Sequence, residues 1–218
     1  MTKSRSPLWL TRLRPGPRVI RPALYIIGLV PAAWTLYLGL NDQLGADPLK
    51  VLERSLGLWS LRFLVLGLAI TPLCRLGGPN LIGYRRAVGL LAFLYALFHV
   101  TVYTWLDQAL DLGAIWRDIV KRPYITVGLL AFLVLVPLAI TSNNTMIKRL
   151  GAATWQKLHR LVYLAAAAAA LHFIMLVKSW PAEPLIYAAL VAVLLSWRAW
   201  HRLYGRRPPG RGRAAAQT

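Results

Sequence analysis

Acid is scarce in this chain of 218 residues: seven Asp and Glu stand against 26 Lys and Arg, a formal net charge of +19. Cysteine is scarcer still. The single Cys74 excludes an intrachain disulfide and a cysteine-held iron–sulfur cluster, and no Cys-x-x-Cys-His run exists to tether a c-type haem. There is no P-loop, no glycine-rich dinucleotide fingerprint, and no Ser/His/Asp set for nucleophilic chemistry. No carboxylate falls inside a long apolar run, which argues against a proton-relay transporter. What remains is a chain that reads as a conduit for electrons and not as a site of bond chemistry.

Apolar sequence is abundant. Hydrophobic residues make up 57% of the chain, with nine Trp and nine Tyr, and mean hydropathy is +0.52. They fall in runs of about 20 residues, the length of a helix that crosses a bilayer core of about 30 Å. Six such runs, near 22–40, 58–74, 87–106, 124–141, 159–177 and 184–200, predict an all-α polytopic membrane protein. The expected organisation is a basic segment over 1–21, a six-helix domain over 22–203, and a disordered Pro/Gly/Arg-rich tail over 204–218. The first apolar run is too long for a signal-peptide core and reads as a retained helix.

The charges sort by connection. Residues 1–21, 75–86, 142–160 and 198–213 hold 19 basic residues and no acid. The other three connections hold six basic residues and all seven acids: Asp42, Asp47, Glu53, Asp107, Asp111, Asp118 and Glu183. The positive-inside rule places both termini in the cytoplasm of a bacterial-type inner membrane, with lipid around the bundle. Topology accounts for the excess charge, so nucleic acid is not the expected partner.

Polar residues at membrane depth are costly and are functional suspects. His99, in "YALFHVTVY", falls about two-thirds of the way across the third run. His172 lies 13 residues after His159 in the fifth run, about 20 Å along a helix axis. That puts His172 at the depth of His99, where two imidazoles on facing helices can clamp a haem iron. Two histidines without a third ligand underfill a zinc site. His159 is either a further ligand or a solvated residue at the membrane edge, and His201 reads as interfacial. On an ideal helix His159 and His172 would point about 140° apart, so either the helix is distorted or they address different sides. Arg62 either snorkels to the interface or pairs with a haem propionate. The run Ala165–Ala170 allows close helix approach and offers a flat face to a macrocycle. Arg85, Arg86, Lys148, Arg149 and Arg160 satisfy topology and could help dock an anionic flavin or a soluble reductase. A channel or transporter with structural histidines is the reading of a different class.

Six spans, one histidine in the third and two spaced 13 apart in the fifth resemble the ferric reductase-like transmembrane domain. "LGADPLKVLERSLG", "ITPLCRL", "RRAVGLLAFLYALFHVTVY", "KRPYITVGLLAF", "WQKLHRLVYLAAAAAALHF" and "PLIYAAL" are together similar to the MsrQ (YedZ) family over about residues 20–200. That resemblance implies a haem b membrane subunit that takes electrons from the quinone pool or a cytosolic flavin reductase. It would pass them to MsrP, a periplasmic molybdopterin enzyme that reduces methionine sulfoxide. It also implies FMN, and it makes His99, His159 and His172 the family's three histidines. The alternative is a self-contained membrane cytochrome b that reacts with ferric iron, superoxide or quinone. One departure stands out: the positions 13 and 14 residues before His99, where a two-haem pattern needs histidine, are Arg86 and Arg85. The resemblance therefore implies one haem, or two if His159 has another partner, or a flavin at that end.

Overall fold

The computed structural model describes residues 17–177 and 181–204, and among them it contains helices and no strand. The segment up to residue 16 and the tail from 205 lie outside the described residues. The elements are α1 (Pro17–Leu40), α2 (Pro48–Arg75), α3 (Arg85–Thr101), α4 (Leu112–Lys121), α5 (Pro123–Ile140), α6 (Asn144–Leu150), α7 (Ala152–His159), α8 (Val162–Leu176) and α9 (Ala182–Leu203). Six helical stretches are long and apolar enough to cross a membrane: Pro22–Leu40, Pro48–Arg75, Ile82–Asp107, Pro123–Ile140, Ala152–Leu176 and Ala182–Leu203. The expected number of spans is met.

Their boundaries differ from the apolar count in three informative places. The second helix begins at Pro48, ten residues before the apolar run suggested, because "DP" is a helix start: Asp47 caps the Lys50 N–H at 3.3 Å, and Pro48 takes the first-turn position that needs no donor. The third span continues past α3 as a π-helical stretch, Val102–Asp107. The fifth span is broken: α7 ends at His159 and α8 starts at Val162, with short-range bonds from the Arg160 and Leu161 N–H groups between them. That break removes the ideal-helix offset between His159 and His172, which sit on separate helices.

α2 and α3 form the central pair, α5 packs against α8, and α9 closes against α8 and α2. Between apolar helices in lipid, close packing and a few polar ties supply the cohesion. Leu64, Leu68, Leu91, Ala92 and Tyr95 fill the centre, and Ser60 on α2 donates to the Ala92 carbonyl of α3 at 2.8 Å. Ala165 and Ala166 are wholly buried in the same core as Leu135 of α5, so the alanine run brings α8 against its neighbours.

The two ends of the bundle differ in charge. All five ion pairs among the described residues lie at the end that carries the acids, for example Arg54–Glu183 at 3.2 Å and Arg122–Asp118 at 3.3 Å. α4 also belongs to that end, where a loop was expected. Leu112, Trp116 and Val120 form an exposed stripe along it, and Asp111 caps it by accepting from the Ala114 N–H at 3.0 Å. That bond is the main reason the Asp111 carboxyl sits below the usual carboxylate range. A carboxyl depressed by folding stabilises above its unfolded pKa of about 4 and loses that contribution as pH falls through the folded value. α4 is therefore expected to fray only at acid pH below about 4. The fluorescence difference between the protein and a Trp116→Phe variant should stay flat down to that point and change below it. A change centred near neutral pH would show that the Asp111 cap is not what holds the helix.

Candidate functional site

His99 on α3 and His172 on α8 meet. Their ring centres are 6.2 Å apart and their planes cross at 74°. Both lie nearer the acid-bearing end of their spans, as equal depth required. Each ring is fixed through Nδ1: His99 Nδ1 is 2.9 Å from the Glu53 carbonyl of α2, and His172 Nδ1 is 2.7 Å from the Tyr124 carbonyl of α5. A carbonyl only accepts, so each Nδ1 carries the proton and each Nε2 presents a bare lone pair. A main-chain acceptor behind the ring is the usual way a metal-binding imidazole is oriented and made more basic.

The donor set can be tested for fit. A metal–imidazole nitrogen distance of about 2 Å on each side puts the ring centres of two opposed ligands about 6 Å apart. The observed 6.2 Å matches that spacing. Among the described residues no group of three or more His, Cys, Asp or Glu could hold a metal. A two-imidazole site therefore suits an iron whose other positions are supplied by a macrocycle, and not a zinc ion.

Two glycines make the arrangement possible. A Cβ at Gly57 would stand 3.2 Å from His99 Nδ1, and one at Gly128 would stand 2.7 Å from His172 Nδ1. In both cases the carbonyl that holds the ring belongs to the residue four before the glycine: Glu53 before Gly57, Tyr124 before Gly128. The same device is used twice. An imidazole lies against a helix where one side chain is missing and reaches the carbonyl one turn back. Neither glycine was singled out from the sequence, because glycine in an apolar run reads as generic close packing. The available signal was the spacing Glu53–Gly57 and Tyr124–Gly128, in helices that face the two histidines.

Arg62 has protein partners. Its Nε donates to the Tyr187 hydroxyl at 2.9 Å, one terminal nitrogen is 3.9 Å from Glu183, and its guanidinium lies 4.6 Å from the Trp59 ring centre. Arg54 reaches the same Glu183 and lies 6.0 Å from the centre of Phe173, the neighbour of His172. Glu183 was not a candidate from sequence, yet it joins two cations beside the histidine pair.

His159 lies apart from that pair. Its Nε2 is 3.1 Å from the Thr141 hydroxyl, its ring stacks on Trp155 with centres 3.8 Å apart, and Trp155 Nε1 donates to the Thr141 carbonyl at 2.8 Å. It lines a cavity of about 690 Å³ at the arginine-rich end, in which it is the one imidazole. No second histidine is brought to it among the described residues. His201 is local to α9, 3.0 Å from the Trp197 carbonyl and stacked on the Trp197 ring.

The family described as ferric reductase like transmembrane component matches residues 56–170. That stretch contains Gly57, His99, Gly128 and His159 and ends two residues before His172. Relatives from Brucella ovis, Brucella canis and Brucella suis, each named protein-methionine-sulfoxide reductase heme-binding subunit MsrQ, are 58% identical over 194 residues. The alignment covers 88% of this chain and 88% of each relative.

Proposed function

The chain belongs to the MsrQ family of ferric reductase-like multi-pass membrane proteins, and from that membership and the opposed imidazoles we propose that it is a transmembrane electron-transfer haem b subunit. In this reading it passes electrons from the quinone pool or a cytosolic flavin reductase to MsrP, a periplasmic molybdopterin methionine sulfoxide reductase. Both termini face the cytoplasm of a bacterial inner membrane, and the acid-bearing end faces the periplasm and the partner.

One observation carries the reading: two bare Nε2 atoms on rings 6.2 Å apart, each held from behind by a main-chain carbonyl. His99 and His172 would hold the iron. Haem b, when bound, supplies one-electron chemistry at a potential set by its ligands and surroundings. The chain's own part is position and tuning. The Glu53 and Tyr124 carbonyls fix the tautomer and raise imidazole basicity, and Gly57 and Gly128 let the rings lie against α2 and α5. Arg62 is the residue proposed for a propionate, and it would have to exchange its Tyr187 and Glu183 contacts to serve. His159 is proposed as the flavin-side or second-haem residue. FMN is proposed from the same family membership.

Reduced-minus-oxidised absorption of the detergent-purified protein tests the central claim. The expected result is a b-type spectrum that disappears in a His99→Ala/His172→Ala double variant. Bands that survive in that variant would overturn the assignment. The partner is tested separately, by retention of a molybdopterin reductase on the tagged membrane protein. Ferric or superoxide reduction by the isolated chain, with no partner retained, would favour the self-contained cytochrome.

A further inference from the structure

The circumference of α4 divides into thirds. At about 100° per residue, Ala114, Ile115, Asp118 and Ile119 share one flank. The bundle covers that flank, and all four residues are partly buried. Asp118 accepts from the Tyr103 hydroxyl at 3.1 Å and pairs with Arg122 at 3.3 Å, and the Ile119 carbonyl accepts from the Thr126 hydroxyl. Leu112, Trp116 and Val120 fill the next third and stay 77%, 67% and 65% exposed. Arg117 and Lys121 occupy the last third and are exposed as well. An amphipathic helix that had only protein and water as neighbours would turn its apolar face to the protein. Here the apolar stripe faces a third direction.

The chain sets the depth of this helix. α5 follows directly after Arg122 and has 18 residues, about 27 Å at 1.5 Å per residue. A hydrocarbon core is about 30 Å thick. α5 therefore spends its whole length in crossing, and Pro123 cannot stand clear of the headgroups. Lys121, two positions earlier, is held to the same level. The Asp118–Tyr103 bond gives that depth from another helix, because Tyr103 lies one turn inside the end of the third span at Asp107. Trp105, Leu106 and Leu110, on the stretch of chain that leads into α4, are exposed too. At this level the three flanks meet protein, lipid and water. Tryptophan suits the lipid boundary, and the long stems of Arg and Lys carry their charges from it into water.

We propose that α4 is an interfacial anchor, seated in the headgroup layer at the acid-bearing end, with Leu112, Trp116 and Val120 in lipid and Arg117 and Lys121 in water. The partner of this surface is the phospholipid boundary and not a second protein. Tyr124, whose carbonyl holds His172, comes three positions after Lys121, so the anchor also steadies the end of α5 from which that ring is held. This seat is independent of the haem pair, and each can fail without the other.

Cys74 is the single cysteine, so Cys74→Ser gives a background free of other thiols. In it Leu112→Cys, Trp116→Cys, Val120→Cys, Arg117→Cys and Lys121→Cys are labelled in turn with a nitroxide, in the full-length protein in phosphatidylcholine–phosphatidylglycerol nanodiscs. Collisions with oxygen, which concentrates in lipid, are compared with collisions with a water-soluble nickel chelate. The oxygen-to-nickel ratio at 112, 116 and 120 is expected to exceed that at 117 and 121 by about fivefold or more. Equal ratios place the stripe in water and overturn the anchor. Protection of the stripe from both reagents overturns it too, because protein would then cover the face. A second measurement asks whether lipid holds the helix. In a Leu112→Gln/Trp116→Gln/Val120→Gln variant, amide exchange over 112–121 should rise about tenfold or more, while the six spans stay as protected as before. Unchanged exchange would show that the bonds on the inward flank hold α4 without lipid, and the anchoring role would fall.

Discussion

Gly128→Ala is expected to strip the protein of most of its b-type haem while leaving every histidine in place. The alanine methyl would have to sit 2.7 Å from His172 Nδ1, closer than such carbon atoms approach in folded proteins, and 3.0 Å from Cε1, a tight contact. The neighbour it would displace is the imidazole itself. Moving the ring away from α5 breaks its bond to the Tyr124 carbonyl, which fixes the tautomer and the orientation of the ring. Losing such an orienting partner commonly costs ten- to one-hundred-fold in metal affinity, so haem per protein should fall by about tenfold in a dilute purification. Gly57→Ala makes the same intrusion on His99 at 3.2 Å, where a shift of a few tenths of an ångström relieves it. Its loss should be smaller. Gly89→Ala, with nothing near its Cβ, is the control and should load normally. Haem content by pyridine haemochromogen assay decides the matter. Wild-type loading in Gly128→Ala would mean that the notch in α5 plays no part in holding the ligand.

This expectation marks what the sequence makes legible and what it leaves hidden. Span count follows from hydropathy because a bilayer imposes a length, and the depth match of His99 and His172 follows from 1.5 Å per helical residue. Contacts across helices are not set by any local period. Nothing near Glu53 or Tyr124 says that its carbonyl will accept from an imidazole on another helix, so the orienting partners and their glycines were missed. The start of α2 was misjudged for a different reason. Lys50, Glu53 and Arg54 depress hydropathy, yet they extend the helix beyond its apolar part, and "DP" marked the true start. His159 was ambiguous because it stands at the membrane edge beside Arg160 with no partner legible in the sequence, and the sequence left open whether the helix is distorted; the break at Arg160–Leu161 answers that second point.

Tyr95→Phe is expected to destabilise the bundle by about 2 kcal/mol, although it removes a single oxygen atom. Tyr95 is wholly buried on α3, and its hydroxyl reaches into α1. It donates to the Gly28 carbonyl at 2.8 Å and accepts from the Ala32 N–H at 3.0 Å. Those two groups are four residues apart, so they are the partners of one ordinary helical bond, and the hydroxyl stands between them. Pro31, which has no N–H to give, lies within the same turn, a place where helix ladders commonly admit an outside group. Gly28 allows the approach: a Cβ there would stand 2.5 Å from the Leu91 side chain. With phenylalanine the carbonyl and the N–H are both left without a partner in an apolar surrounding, at about 1 kcal/mol or more each. Measured polar ties between membrane helices average about 0.6 kcal/mol, because chains unfolded within lipid find other partners. The larger figure is expected here because the orphaned groups are main-chain atoms of a helix that keeps its place in the membrane. If instead α1 tightens and the Ala32 N–H bonds directly to the Gly28 carbonyl, stability will hardly change. Unfolding by increasing SDS fraction in mixed micelles, comparing the protein with Tyr95→Phe, separates these outcomes: a shift corresponding to about 2 kcal/mol supports the inserted hydroxyl as a structural tie, and no shift shows that α1 closes its own ladder without it.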